Sequence, residues 1–294
     1  MEVGRLDIEL DEHEPMRLFF LGDIHEGQIN CDHRSLERAV ALIEDTKKKI
    51  RNTYVFLMGD MIDCILPNTG DKRWNPLEVC REYSIHDLKD LPFKQVERVT
   101  KALAPIKDCV VVCLVGNHEE SYMVRHSAPV YSEICKAFPN VEKTGGKLGY
   151  VGMFRIATRK SAGGGSAIDI ALSHGCGGGG YLPGYKTNAV HNVFRWFDCD
   201  LNVQGHIHKL DADRVEKIGI KQNAKDFYSR PVWMGASGTF LSKYQLGTAN
   251  YFEHKPGTSS DIGILQADVS FSRRREDGKR DLFRDVELRK IYMR

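Results

Sequence analysis

Five short apolar runs in this chain each stop at a glycine flanked by Asp, Asn or His, and this repeated arrangement limits the folds open to it. Met16 to Leu21 runs into Gly22-Asp23, Thr53 to Met58 into Gly59-Asp60, and Val110 to Val115 into Gly116-Asn117. Ala167 to Leu172 meets Ser173-His174-Gly175, and Leu201 to Gln204 meets Gly205-His206. Apolar, β-branched or aromatic runs of this length, bounded by Gly and polar residues, read as strands. Between the first two, Ser35 to Ile50 places Leu36, Ala39, Val40 and Ile43 at helical spacing and has a basic end at Lys47 to Lys49. Strand, helix, strand predicts a right-handed crossover between parallel strands.

The same reading predicts a helix over Asp87 to Ala104, broken or started at Pro92, and strands over Lys147 to Thr158 and Ala167 to Leu172 joined by the loop Ser161 to Ser166. After His208, strands at Val232 to Gly235, Ile262 to Val269 and Val286 to Tyr292 predict a second sheet packed on the first. Residues 1–294 read as one domain. The long irregular stretches 64–90 and 241–261 read as insertions that shape a cleft.

Charge narrows the partners. Forty-two Lys and Arg against 40 Asp and Glu leave a formal +2, so no global field draws nucleic acid or an anionic membrane, and any attraction for anions has to be local. Residues 271–294 hold nine Lys and Arg against five Asp and Glu, around Arg273-Arg274-Arg275. This basic C-terminal strand segment reads first as a charged sheet edge. No run approaches the roughly 18 apolar residues of a membrane span, and the acidic segment Met1 to Pro15 lacks the apolar block of a secretory signal. The eight Cys are scattered singly, which reads as reduced thiols in a cytoplasmic protein.

In an α/β sheet, residues just beyond the carboxyl ends of separate strands converge although they are distant in sequence. Here those ends present Asp23, His25, Asp60, Asn117, His118, His174, His206 and His208. Carboxylate, imidazole and amide donors suit Mn, Fe or Zn, and the lack of Cys among them argues against a structural thiolate site. Seven direct-ligand candidates are too many for one tetrahedral ion, whereas two ions sharing one carboxylate would use all seven.

Gly22-Asp23-Ile24-His25, Gly59-Asp60-Met61-Ile62-Asp63, Gly116-Asn117-His118-Glu119, Ser173-His174-Gly175 and Gly205-His206-Ile207-His208 resemble, in order, the five motifs of the calcineurin-like metallophosphoesterases. The segment Gly175 to Gly180 with Tyr185-Lys186 also resembles the phage and prophage branch. The resemblance implies a four-layer αββα sandwich of two mixed β-sheets flanked by helices. It assigns Asp23, His25 and His208 to a first metal and Asn117, His174 and His206 to a second, bridged by Asp60. The expected cofactors are two divalent ions, Mn first, with Fe, Zn or Ni as alternatives. Two such ions less two ligand carboxylates leave a formal surplus of positive charge for a phosphate, and a water bridging them is acidified to the hydroxide nucleophile. In the family the residue equivalent to His118 contacts the phosphate and assists the leaving group. Asp63 is expected to orient a neighbouring ligand or His118. Glu119 is a departure, since the family more often has Asp there, at a position that is not a ligand.

Bland readings stand beside these. His13, His33, His86, His126, His191 and His254 read as structural by default, with His126 and His254 also candidates for the cleft. Gly177 to Gly180 reads equally as a turn and as room for a phosphate. Cys31, Cys64 and Cys176 read as small buried thiols. Trp74, Tyr244, Tyr251 and Phe252 read as packing or as base-stacking aromatics. The function expected is metal-dependent hydrolysis of a phosphoester, a phosphodiester first, in DNA, RNA or a smaller molecule. The alternatives are a phosphomonoesterase acting on a phosphoprotein or nucleotide, and a non-catalytic scaffold that keeps the metals.

Overall fold

A computed structural model describes residues 1–10, 14–65, 78–159, 165–176, 184–220, 226–244, 259–276 and 279–293, with 272–284 described by backbone alone. The acidic N-terminal segment is itself a strand, β1 (Glu2–Glu9), which the expectations above did not include. Its alternation is short, but Ile8 and Leu10 turn into the core. β2 (Met16–Leu21), helix α1 (His33–Lys49) and β3 (Asn52–Leu57) form the expected unit, with the two strands parallel. α1 starts where Asp32 Oδ1 accepts the Ser35 amide at 2.9 Å, an N-cap bond. Leu36, Ala39, Val40 and Ile43 form its buried face.

The stretch Asp87 to Ala104 divides. A 3-10 turn covers Asp87–Lys89, and helix α2 (Leu91–Ala102) starts with Pro92 in its first turn, where a missing N–H leaves no bond unmade. β4 (Val110–Cys113), α3 (Asn117–His126), α4 (Val130–Lys136) and α5 (Pro139–Lys143) follow. Then come β5 (Val151–Arg159), β6 (Gly165–Ser173), α6 (Tyr185–Phe194) and β7 (Leu201–Gln204). The chain closes with β8 (Leu210–Ile220), β9 (Phe227–Ser237), β10 (Gly263–Glu276) and β11 (Lys279–Tyr292).

Two mixed sheets result, one of six strands ordered β1-β5-β6-β7-β9-β8 and one of five ordered β11-β10-β2-β3-β4. The late strands therefore do not make a sheet of their own. β9 joins β7, while β10 pairs antiparallel with β2, Leu265 opposite Phe20. The five motif strands are consequently split, three in one sheet and two in the other. The sheets meet face to face through Phe20, Phe56 and Phe154, with Phe56 4.9 Å from Phe20 in a stack and 5.5 Å from Phe154 edge-on. α1, α2 and α4 cover the outer face of the five-stranded sheet, and α6 packs on β7, β8 and β9. This is the four-layer αββα order. Among the described residues no helix is long and apolar enough to cross a membrane.

Candidate metal centre

Each candidate ligand stands at the end of a strand or one residue into a helix, and most stand there in an unusual backbone conformation. Asp23, His25, Asp60, His206 and His208 all have left-handed φ, between 48° and 68°. For a non-glycine residue this costs about 1–2 kcal/mol, and it persists where surrounding bonds over-determine it. Close approach explains the neighbouring glycines. A Cβ on Gly59 would stand 2.6 Å from His174 Nδ1, and one on Gly116 only 2.1 Å from both the amide nitrogen and Oδ1 of Asp60.

The seven candidates fall into two joined groups. On one side His25 Nε2 lies 3.2 Å from His208 Nε2, which is 3.4 Å from Asp23 Oδ1. On the other, His174 Nε2 lies 3.1 Å from Asn117 Oδ1 and 3.2 Å from Asp60 Oδ2, and Asp60, His174 and His206 offer atoms within 4.8 Å of one another. The same Asp60 Oδ2 is 3.7 Å from His25 Nε2. Asp23 further accepts the His206 amide at 3.0 Å, which ties the first strand end to the last.

These donors fit a divalent cation. His174 Nδ1 lies 2.8 Å from the Met58 carbonyl and donates its proton there, so Nε2 turns a lone pair toward the oxygens of Asn117 and Asp60. Three electron-rich atoms facing each other require a cation or a second proton between them. Burial alone would lower the ring's pKa, but Asp60, followed by Asp23, overcomes it and pushes His174 up to about 10. Burial likewise opposes charge on Asp60, and His174, His118 and His25 outweigh it, holding that carboxylate well below its usual range. Desolvation lowers the pKa of His25 and of His206, which favours their neutral rings.

His118 adjoins both groups and offers an atom within 4.8 Å of those of His25 and Asp60. Its amide donates to Asp60 Oδ1 at 2.9 Å, and its Nδ1 is 2.5 Å from the main-chain oxygen of Asp63. The Asp63 carboxylate is farther off, with Oδ1 3.5 Å from His118 Nδ1 and 3.7 Å from His25 Nδ1. Asp63 thus meets His118 most closely through its carbonyl, while its carboxylate faces His25, the neighbouring candidate ligand.

Glu26, which no motif reasoning singled out, is buried beside His25. It receives His33 Nε2 at 2.8 Å, Tyr83 Oη at 3.0 Å and Arg98 Nε at 3.0 Å. Glu119, set aside as a non-ligand, is buried against the Asp60 loop. Burial, followed by the Asp60 charge, pushes its carboxyl up to about 7. The available signal was its spacing from Gly116, three residues, which is that of a capping box.

Other candidates lie elsewhere. Lys186 Nζ donates to the Leu210 carbonyl at 3.3 Å, and His191 pairs with Asp213 at 2.9 Å. His126 stacks on Tyr122 in the last turn of α3. Cys31 and Cys64 are buried, but Cys176 is exposed, contrary to its expected burial. The Arg273 segment lies at the far end of the sandwich from the candidate ligands, because β10 passes β2 with Leu265 opposite Phe20 near those residues and Val269 opposite Met16. His13, Trp74, Gly177 to Gly180, Tyr251, Phe252 and His254 lie outside the described residues.

Cations held on this donor set give a near-neutral protein a local positive charge suited to phosphoryl oxygens. The class so defined is that of the metal-dependent phosphoesterases, hydrolases of phosphoric esters. The chain belongs to the calcineurin-like phosphoesterase family, whose sequence model matches residues 16–210.

No curated protein matches the sequence. Among solved structures it is similar to Vacuolar Protein Sorting 29 of Cryptosporidium parvum, at 15% identity over 95% of this chain and 98% of that one, with a TM-score of 0.35. It is also similar to GAP50, the anchor in the inner membrane complex of Plasmodium, at 10% identity over 95% and 85% of the chains, TM-score 0.44. A predicted phosphoesterase of Streptococcus pneumoniae TIGR4 is 10% identical over 92% and 98%, TM-score 0.29.

Proposed function

We propose that the chain is a dinuclear phosphodiesterase in which Asp60 is shared between two divalent ions. The observation that carries this is the single oxygen, Asp60 Oδ2, set 3.2 Å from His174 Nε2 on one side and 3.7 Å from His25 Nε2 on the other. Asp23, His25 and His208 would hold one ion, and Asn117, His174 and His206 the other, with Mn favoured by the oxygen and nitrogen donors. Divalent ions held by these residues would supply charge for the phosphoryl oxygens and would acidify a bound water.

The rest falls to the protein's own groups. The Nδ1 contact with the Asp63 carbonyl orients the His118 ring, and Nε2 is the atom proposed to act on the substrate. It suits donation of a hydrogen bond or a proton to the departing alkoxide. The Asp63 carboxylate lies 3.5 Å from the same Nδ1. The Asp-X-His first motif that supplies His25 is found in the family's diesterases and nucleases and also in some of its phosphomonoesterases, so the motif fits a diester without selecting it.

Of the two long segments proposed to shape the cleft, residues 66–77 and 245–258 lie outside the described residues. In their described parts, the Cys80 amide donates to the Gly27 carbonyl at 2.8 Å and the Ser242 amide to the Asn30 carbonyl at 2.9 Å, beside the loop after His25. The substrate reaches this cleft without the Arg273 segment, which favours a small or end-bound diester over a polymer tracked across the basic hairpin. The test is turnover of bis-p-nitrophenyl phosphate against p-nitrophenyl phosphate with added Mn. Faster diester turnover supports the reading, monoester preference replaces it with a phosphomonoesterase, and no turnover of either leaves a metal-bound scaffold.

A further inference from the structure

Glu119 makes an unusual set of bonds for a residue outside the ligand set. Its side chain is fully buried, and its two oxygens accept four main-chain amides. Oε1 takes Met61 at 2.7 Å and Ile62 at 3.1 Å, while Oε2 takes Asp60 at 3.2 Å and Gly116 at 3.0 Å. Three consecutive amides of the loop that presents Asp60 thus close on one carboxylate from the first turn of α3. In return the His118 amide donates to Asp60 Oδ1 at 2.9 Å.

The direction of these bonds matters. A left-handed turn at Asp60, φ 48°, directs the following amides away from the strand ladder, where they would otherwise find carbonyls. A buried amide without an acceptor is costly, so the turn is stable only if something else accepts them. Glu119 does so, and because it is two residues from Asn117 and one from His118, it also sets how far the Asp60 loop stands from both. The side-chain length is suited to this, since four amides from two loops are reached from one helix position.

We infer that Glu119 is a positioning residue that holds the Asp60 turn in register with Asn117 and His118, and so sets the geometry on which binding of both metals depends. The inference rests on the dinuclear reading above. Glu119→Gln keeps the shape but turns an NH2 group toward main-chain donors. In this chain, whose two loops are spaced for Glu where the family more often has Asp, Glu119→Asp keeps the charge but withdraws it by one methylene from amides that now lie 2.7 to 3.2 Å from it.

The experiment is calorimetric titration of the metal-free protein with Mn, together with thermal unfolding of the metal-free forms and separate kcat and KM values on bis-p-nitrophenyl phosphate. The expected result is that either variant, folded by circular dichroism, binds Mn about 10- to 100-fold more weakly. Its kcat falls at saturating Mn while KM changes little. A helix cap alone would lower the unfolding temperature and leave Mn affinity and kcat as they were, and that outcome overturns the inference. If Glu119→Gln does not fold, Glu119→Asp decides alone. Absence of Mn uptake by the wild-type chain overturns the dinuclear reading and this inference with it, whereas normal uptake by wild type and variants alike overturns the inference only.

Discussion

His118 Nδ1 lies 2.5 Å from the carbonyl oxygen of Asp63, a full ångström nearer than the carboxylate of the same residue at 3.5 Å. A main-chain acceptor fixes the ring's tautomer whatever the side chain at position 63. Asp63→Asn is therefore expected to lower kcat by less than about 10-fold, while His118→Ala lowers it by about 10²- to 10⁴-fold, the range for a positioned acid. Elemental analysis should find metal retained in both. Loss of metal from His118→Ala would make that residue a ligand.

Asp60→Asn is the sharper test of a shared carboxylate. Asparagine keeps the oxygen that accepts the His118 amide and removes the charge that both ligand groups face. Metal content is expected to fall by half or more, with activity down by at least about 100-fold. Full metal content in purified Asp60→Asn would exclude a bridging role.

The inter-sheet core supports the site from below. Phe56 is fully buried, stacked on Phe20 and edge-on to Phe154, and its strand leads directly to Asp60. Phe56→Ala is expected to cost about 3–5 kcal/mol of stability, read as a lower urea midpoint with an unchanged slope. A loss under about 1 kcal/mol would show that the sheets do not pack through this ring.

The Glu26–His33 pair gives stability a pH dependence. The hydrogen bond to Glu26, opposed by burial, raises the His33 pKa. A raised histidine contributes fully below its unfolded pKa, near 6.5, and the contribution is lost as pH rises through the folded value. Glu26 works at the other end. Burial raises it, but His33, Arg98 and Tyr83 prevail and lower its pKa, so its share is lost as pH falls through that lowered value. Between pH 6 and 9 the wild-type unfolding temperature should therefore fall more steeply than that of His33→Gln. Parallel curves would exclude the pair as the source.

Replacing Arg273, Arg274 and Arg275 together by Ser is expected to leave kcat/KM for bis-p-nitrophenyl phosphate within about twofold. Leu265 is opposite Phe20 at the ligand end, and nine further residues at about 3.4 Å each carry the backbone roughly 30 Å away before Arg274. That is three times a Debye length of about 10 Å at 0.1 M salt. A larger loss would mean that the hairpin folds back to the site.

Much of this protein is written locally. The five strand stops, the helix after Asp32 and all seven candidate ligands were legible in the sequence, because alternation, glycine and the polar residue after it act within a few positions. The tertiary structure decided what depends on distant partners. β10 enters beside β2, joining residues some 250 positions apart, as in the 2.6 Å Arg17–Asp268 bond. This distributes the late strands over both sheets and sends the Arg273 hairpin away from the ligands. β1 is a strand because β5 pairs with it from Gly152 to Arg159, although its own sequence is charged. At the site, the residue types named the candidate ligands, but which atom of Asp63 meets His118 and which amides Glu119 gathers follow from how the Asp60 loop packs on α3. Hydrogen-bond acceptors are chosen by geometry across the fold, and a one-dimensional pattern of residue types carries no such distances.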